Sequence, residues 1–214
     1  MASAQLLSSF PAFARAPQLG DITHGISGLP RGAISEILGA ESTGRTALAH
    51  SMVATSTLGG EVTAVVDTDD AFDPASAQRA GADLGKLLWV QCGHRLETAL
   101  KATDMILHSG GFGLVLLDLG DATPAALNRV PVSCWYRFRR AVEHTPSILL
   151  ILSRQSAARS CTVRQFVLQQ QKVQWRGAPP FQIIDRLETE AASSKPMGIA
   201  PIRLQAHAET FAEV

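Results

Sequence analysis

Short, continuous apolar segments alternate along the chain with longer segments in which apolar residues recur every three or four positions. The continuous segments predict buried strands at residues 34–38, 61–66, 87–90, 114–117 and 147–152. The periodic segments predict helices at residues 44–56, from 73 onward, at 96–108 and, as the last half of a basic helix, at 137–144. Wholly apolar strands that alternate with helices are typical of a parallel sheet covered on both faces. We therefore expect an α/β fold with a mostly parallel sheet.

The pattern changes after residue 163, where the helical periodicity stops. Residues 166–168, 173–175 and 181–184 have the composition of short strands in a hairpin-rich, antiparallel C-terminal edge. The sequence predicts a flexible N-terminal arm at residues 1–21, one core domain at 22–188, and a C-terminal tail of small and polar residues at 189–214.

Composition and charge narrow the class of protein. Apolar residues make up 46% of the 214 residues and charged residues 18%, which is a globular composition. The net charge is zero, but residues 129–186 carry ten basic and two acidic residues, whereas residues 1–128 carry seven basic and thirteen acidic ones. This polarity favours a polyanionic partner. The 3 scattered cysteines argue against a disulfide framework or a zinc site, and we expect a cytoplasmic protein with neither signal peptide nor membrane span.

An eight-residue loop, Gly39-Ala-Glu-Ser-Thr-Gly-Arg-Thr46, joins a predicted strand to a predicted helix. Glycines in that context let the backbone amides turn inward, and these amides, together with the helix N-terminus, attract a phosphate. Thr46 stands where a hydroxyl ligates Mg²⁺, while the planar, bulkier Arg45 replaces the lysine of the common motif. The candidate nucleotide-binding residues are Gly39, Glu41, Ser42, Thr43, Gly44, Arg45 and Thr46. The alternative is a glycine-bounded turn that holds no ligand.

Two further groups of charged residues are candidate sites. Asp67, Asp69 and Asp70 follow a predicted strand, where they either hold Mg²⁺ through water or serve as a turn cap and solvated side chains. Arginines and aromatic residues alternate from Trp135 to Arg140, as they do in proteins that bind single-stranded nucleic acid. The alternative is a helix with an aromatic core face and a solvated basic face. The candidate DNA-binding residues are Arg137, Arg139 and Arg140, followed by Arg154, Arg159 and Arg164.

Four segments, in order, resemble the bacterial RecA family: residues 28–46, 65–74, 114–118 and 148–155. The resemblance implies a RecA-like P-loop core that binds ATP and Mg²⁺. It places Asp69 at the catalytic carboxylate, Asp118 at the Mg²⁺-binding end of a strand, Gln155 at the sensor of the γ-phosphate, and Asp73 at the contact with the adenine amine. A Phe-x-x-Ala sequence at Phe13 resembles the segment by which some RecA-like recombinases join protomers, so Phe10 and Phe13 are candidate oligomerisation residues. The alternative is an apolar pair in a flexible arm.

The departures from the family pattern concern both hydrolysis and DNA handling. Asp69 stands where the family has glutamate, and Ser76 stands where it has a tyrosine that stacks on adenine. The segments that match the two DNA loops of RecA are short, so we do not expect a strand-exchange recombinase.

A short chain with these features resembles the ImuA group of RecA-like accessory proteins. That resemblance implies an adaptor in error-prone translesion synthesis under the SOS response to DNA damage, with a degenerate nucleotide site and weak or vestigial binding of ATP and Mg²⁺. Its implied partners are a Y-family polymerase homologue and a replicative-type polymerase, with RecA, a second copy and nonspecific DNA as further candidates. The alternatives are a SulA-type cell-division inhibitor, which binds a tubulin-like protein, and a competent DNA-stimulated ATPase.

Overall fold

The computed structural model describes residues 29–120 and 122–207, and these residues contain one eight-stranded sheet. Its strand order is β3-β2-β4-β5-β1-β6-β7-β8. The strands are β1 (Ala33–Gly39), β2 (Thr63–Asp67), β3 (Leu87–Gln91), β4 (Leu114–Asp118), β5 (Ile148–Ser153), β6 (Thr162–Arg176), β7 (Ile183–Lys195) and β8 (Ile202–His207). Strands β1 to β6 pair in parallel, whereas β7 pairs antiparallel to both β6 and β8.

Helices cover both faces of the parallel part of the sheet. They are α1 (Arg45–Leu58), α2 (Pro74–Arg79), α3 (Leu96–Ser109), α4 (Pro124–Arg129) and α5 (Val132–Val142), with 3₁₀ turns at Leu84–Lys86 and Arg159–Cys161. Two hydrophobic clusters result, one between the sheet and α1 and α2, and one between the sheet and α3, α4 and α5. The predicted α/β class, with helices on both faces and an antiparallel C-terminal edge, is confirmed.

The central strands are apolar throughout because both of their faces are buried. Every residue of β1, β2 and β5 is buried, and Ile148 of β5 pairs with both Ala33 of β1 and Leu114 of β4. This common register brings the carboxyl ends of β1, β2, β4 and β5 to one edge of the sheet. Ligand sites of open parallel sheets form at this edge.

A capping side chain and a proline mark the starts of two helices, α2 and α4. Asp73 accepts hydrogen bonds from the amides of Ala75 and Ser76 and Pro74 begins α2, as the Asp-Pro pair predicts. The basic helix predicted at 137–144 is the second half of α5. Helix α4 was missed, although Thr123 caps it and Pro124 opens it by the same rule. None of the described helices combines the length and the apolarity that crossing a bilayer requires.

The C-terminal region differs from the prediction. The segments expected as separate strands at 166–168 and 173–175 belong to the single 15-residue strand β6. The core boundary expected after residue 188 falls inside β7, and β8 adds a further strand, so residues 189–195 and 202–207 belong to the sheet and not to a tail. Their small side chains resemble a tail in composition, but backbone pairing holds them. The predicted arm at 1–21, with Phe10 and Phe13, and the last residues from 208 lie outside the described residues.

Candidate phosphate-binding site

The loop between β1 and α1 has the geometry of an anion cradle. Gly44 adopts a left-handed conformation with φ of 85° and, as the N-cap residue of α1, has no side chain to cap the first-turn amides. The first turn contains no acidic residue and no capping side chain, so the positive end of the helix dipole and the first-turn amides are not neutralised from within α1. The hydroxyl of Thr43 donates to the carbonyl of Ala40 over 2.8 Å and closes the loop on itself. Glu41, Ser42 and Thr46 are exposed around it.

Arg45 is held across the opening of this loop. Its Nη1 donates to the carbonyl of Gly39 over 2.9 Å, and its Nη2 lies 3.4 Å from the carbonyl of Gly120, beyond the end of β4. The guanidinium therefore joins the ends of two strands that flank the cradle, in the place where the common motif has a compact ammonium group.

Two of the predicted carboxyl groups meet beside Arg45. Asp118 accepts a 2.8 Å hydrogen bond from the amide of Gly120, and a Cβ added to Gly120 would collide with the carboxyl group of Asp69. Burial raises the pKa of Asp118, the Gly120 amide and the Arg45 charge lower it, and Asp67 and Asp69 raise it again. Asp69 also lies 3.6 Å from Nδ1 of His94. The structure therefore brings Arg45, Asp69 and Asp118 to one place.

The other aspartates of the predicted cluster have structural partners. The buried Asp67 accepts from the amide of Phe72 over 2.8 Å and from the indole of Trp89 over 3.2 Å. Asp70 accepts from the amides of Cys92 and Gly93 over 2.9 and 3.1 Å. The described residues contain no group of three or more His, Cys, Asp or Glu arranged to hold a metal. Asp67 is thus buried and hydrogen-bonded, which neither alternative for the cluster predicted, and Asp70 binds two amides; the roles of Thr46 and Asp118 toward Mg²⁺ stay predictions.

The adenine-site candidates Asp73 and Ser76 bond to each other. Asp73 caps α2, and the hydroxyl of Ser76 donates to the same carboxyl group. This hydroxyl is the main reason that the pKa of Asp73 is lowered, with the amides of Ala75 and Ser76 contributing. Neither residue presents an aromatic ring.

Strand β7 touches the phosphate loop, which the sequence did not predict. The buried hydroxyl of Thr189 donates to the carbonyl of Thr43 over 2.8 Å, and a Cβ on Gly44 would lie 3.2 Å from the side chain of Leu187. The residues concerned lay in or beside a segment that was expected to be a tail, so no signal in the sequence pointed to the contact.

A buried carboxyl group fixes the segment that follows Gln155. Glu36, which is 0% exposed in the middle of β1, accepts from the amides of Ala157 and Ala158 over 2.8 and 2.7 Å. Its second oxygen accepts from the Ser156 hydroxyl over 2.9 Å and from the Gln165 amide over 2.6 Å. The side chain of Gln155 is half-buried at the start of this segment. One signal for Glu36 was available, since a lone carboxyl group within an apolar strand must be hydrogen-bonded.

The six candidate DNA-binding arginines do not form one surface. Arg137, Arg139 and Arg140 are exposed on α5, where Arg137 donates to Asp104 over 2.7 Å. Arg159 donates to Asn128, and Arg154 pairs with Glu41 beside the phosphate loop. Arg164 lies on the same side of β6 as Phe166, and therefore on the α1 face of the sheet, opposite α5.

Helix α5 has features of both alternatives given for its sequence, an aromatic face in the core and an exposed surface with arginines and an aromatic ring. Trp135 and Phe138 are buried in the core, as the structural alternative states, while Tyr136 is exposed. A groove of about 560 Å³ runs between α3 and α5. It is lined by His108, Ser133, Tyr136, Arg137, Arg140 and Ala141.

Comparison with known protein families gives the family of the first part of this chain. The family model of the RecA N-terminal domain matches residues 11–128, which include the phosphate loop, Asp69 and Asp118. The chain belongs to the RecA N-terminal domain family. Residues 129–207, including Gln155, α5 and strands β5 to β8, lie beyond that match.

Individual relatives match up to half of the chain. The chain is similar to the RecA protein of Chlorobium chlorochromatii, with 40% identity over 98 residues, 46% of this chain and 28% of that protein. For RecA of Bifidobacterium breve the identity is 41% over 98 residues, 46% of this chain and 25% of the relative. For RecA of Acinetobacter baylyi it is 39% over 107 residues, 50% of this chain and 30% of the relative. The matched region therefore spans less than a third of each of these relatives.

Proposed function

We propose that this RecA-family chain is an ImuA-like accessory protein of DNA-damage tolerance, which acts as an adaptor in error-prone translesion synthesis and keeps its phosphate loop as a weak nucleotide site. The observation that carries the proposal is the position of Arg45, which bonds to the carbonyls of Gly39 and Gly120 beside the phosphate loop. A phosphate loop whose arginine is held by backbone carbonyls suits a site that senses or retains a phosphate more than a site that hydrolyses ATP rapidly.

The site fits ATP and Mg²⁺ in part. The amides of the first turn of α1 and the left-handed Gly44 suit a phosphate, and Thr46 and Asp118 are the residues that would hold Mg²⁺. Bound Mg²⁺ would supply charge neutralisation on the phosphates. Asp69 is one methylene shorter than the glutamate of the family pattern, so it reaches less far toward an attacking water, and hydrogen-bond reach decides general-base catalysis. Ser76 gives adenine no ring to stack on. Binding is therefore loose and dominated by phosphate.

The arginines of α5 support a role in which the protein contacts DNA directly. Arg137 and Arg140 line the groove beside the exposed Tyr136. Contacts from such a surface are to phosphates, so they carry no sequence preference and weaken steeply with salt. The segment after β5, held by Glu36, is short and tied to the core, which disfavours the DNA wrapping of a recombinase. An adaptor that brings a Y-family polymerase homologue and a replicative-type polymerase to damaged DNA needs no such wrapping.

Affinity purification of the tagged full chain from DNA-damaged cells tests the partnership. We expect recovery of the polymerase homologue, with the same tagged chain from undamaged cells as the comparison. Recovery of a tubulin-like division protein without a polymerase component would replace the proposal with the SulA-type reading. Recovery of neither would contradict the adaptor role.

ATP turnover by the purified chain tests the nucleotide site separately. We expect a turnover well below about 1 per second, the lower end of the range of typical enzymes, with or without DNA. A turnover at or above that value would favour the competent DNA-stimulated ATPase.

A further inference from the structure

A second arginine reaches the phosphate loop from the end of the neighbouring strand. Strand β5 lies between β1 and β4 in the sheet, and Ser153 at its end pairs with Leu38, the residue before Gly39. Arg154 therefore follows β5 at the level where the phosphate loop begins. Its guanidinium forms an ion pair with Glu41 of that loop.

The backbone around Arg154 is fixed on both sides. Before it, the buried Ser153 donates from its hydroxyl to the carbonyl of Gln155 over 2.7 Å. After it, the amide of Ala157 donates to the buried carboxyl group of Glu36 over 2.8 Å. The long side chain of Arg154 can therefore change its partner without a movement of the main chain.

The ion pair between Arg154 and Glu41 is accessible to solvent. The two side chains are 42% and 71% exposed, and exposed ion pairs contribute little to stability. A phosphate group carries up to two negative charges where a carboxylate carries one, and a guanidinium binds it through two parallel hydrogen bonds. A phosphate held by the loop would therefore compete successfully with Glu41 for Arg154.

The arginine of the loop itself is engaged elsewhere. Arg45 donates to the carbonyls of Gly39 and Gly120, and the carboxyl groups of Asp69 and Asp118 meet beside it. A polyphosphate that enters the site therefore approaches negative charge, which a further cation must offset. A guanidinium at the end of the adjacent strand, paired with an exposed carboxylate, is in position to do so.

We propose that Arg154 is a phosphate-binding residue of the nucleotide site, and that Glu41 of the phosphate loop competes with the nucleotide for its guanidinium. The inference rests on the proposed function in that the loop keeps a weak nucleotide site. It moves Arg154 from the candidate DNA-binding residues to that site. It also supplies a physical reason for weak binding, because the ion pair with Glu41 has to break before Arg154 contacts a phosphate.

The test is titration of the full chain with a fluorescent ATP analogue at low salt, because the two partners of the ion pair should respond in opposite directions. Arg154→Ala removes a phosphate contact and should weaken binding about tenfold, near the lower end of what a hydrogen bond to a charged group contributes. Glu41→Gln removes the competing carboxylate and should strengthen binding, by up to about fivefold for an exposed pair. An ion pair that only shapes the loop would give weaker binding in both variants.

Further variants and a second ligand separate a phosphate contact from indirect effects. Inorganic triphosphate, which has neither base nor sugar, should compete less well by the same factor as ATP when Arg154 is replaced by alanine. Arg154→Lys keeps the positive charge and should retain more affinity than Arg154→Ala. Glu97→Gln and Lys101→Ala break an exposed ion pair on α3, away from the loop, and should leave the affinity unchanged. Equal urea midpoints would show that the variants fold.

The outcomes distinguish this inference from the proposed function. Unchanged affinity in Arg154→Ala, or weaker binding in Glu41→Gln, would overturn the role of Arg154 and leave a weak nucleotide site. Loss of oligonucleotide binding in Arg154→Ala at unchanged ATP affinity would return Arg154 to the DNA-binding residues and also overturn the inference. Absence of ATP and triphosphate binding by the unmodified chain would overturn both the inference and the nucleotide site, while copurification would still decide the adaptor role.

Discussion

The hydroxyl of Thr189, near the middle of β7, donates a 2.8 Å hydrogen bond to the backbone carbonyl of Thr43 in the phosphate loop. These residues are 146 positions apart in the sequence, and the contact is buried. The loop is therefore held from two sides, by its own Thr43 hydroxyl and by a strand of the antiparallel edge.

Thr189→Val should destabilise the protein by about 1–3 kcal/mol, because the isosteric side chain leaves the carbonyl of Thr43 buried without its partner. Urea unfolding followed by circular dichroism measures the change. Thr103→Val is the matched control. The Thr103 hydroxyl is also buried, but it donates to Ala99, a carbonyl that already lies within the ladder of α3, so its loss should cost less. Equal costs for the two variants would contradict the special role of Thr189.

Glu36→Gln should lower stability by about 2 kcal/mol, since hydrogen bonds to a charged group contribute about 1.5–3 kcal/mol and the substituted amide cannot accept from all four donors. The measurement is again the urea midpoint, with protease cleavage near residues 156–158 as a local readout. Glu97→Gln alters an exposed carboxyl group paired with Lys101 and should leave the midpoint nearly unchanged. A Glu36→Gln variant as stable as the unmodified protein would show that the segment is fixed by other contacts.

The sequence predicted the parts of the fold that local pattern determines. Strands such as β1 and β5 are apolar because both faces are buried, and Asp73-Pro74 marks a helix start whatever lies around it. It could not predict that β7 continues to Lys195 or that Ile202–His207 form β8, because backbone pairing with β6 and β7 orders these segments and leaves little trace in composition. The same limit hid the contact of Thr189 with Thr43, which depends on the register of an antiparallel pair.

The candidate site was predictable in membership but not in arrangement. The spacing of Gly39, Gly44 and Thr46 predicted the loop, and the family resemblance predicted Asp118 at the end of its strand, while their roles toward a nucleotide stay predictions. The direction of the Arg45 guanidinium depends on carbonyls of Gly39 and Gly120 that only tertiary structure brings together. The aspartates were predicted as one cluster, but Asp67 and Asp70 are engaged by neighbouring amides that sequence spacing does not reveal.

Stability should fall as the pH drops below 6.5 because of His50. Burial lowers the pKa of this histidine, with Arg79 adding to the effect and Asp73 opposing it. Its ring packs edge-on against Phe72, with 5.0 Å between the ring centroids. Its Nε2 has no hydrogen-bond partner among the described residues. Below pH 6.5 the unfolded chain therefore binds a proton that the folded chain resists, and the stability present above that pH is progressively lost.

His50→Leu should flatten the pH dependence of the urea midpoint between about pH 5 and 7, since no proton is then taken up at this position on unfolding. His108→Leu, which changes an exposed histidine beside Asp104, is the control and should leave the slope intact. A slope that persists in His50→Leu would assign the pH dependence to other groups.

Arg45→Lys should strengthen nucleotide binding about tenfold, equivalent to roughly 1.4 kcal/mol. A lysine ammonium is compact and fits beneath phosphates, whereas the guanidinium is anchored to the carbonyls of Gly39 and Gly120 and would have to leave them to reach a ligand. Titration with a fluorescent ATP analogue measures the affinity, and competition by ATP and GTP measures the base preference. Lys101→Arg makes the reverse exchange on α3, away from the loop, and should have no effect. Because Ser76 offers no ring, the gain should be similar for ATP and GTP. Submicromolar binding by the unmodified chain with strong preference for adenine, or weaker binding by Arg45→Lys, would show that Arg45 is a phosphate ligand in its own right.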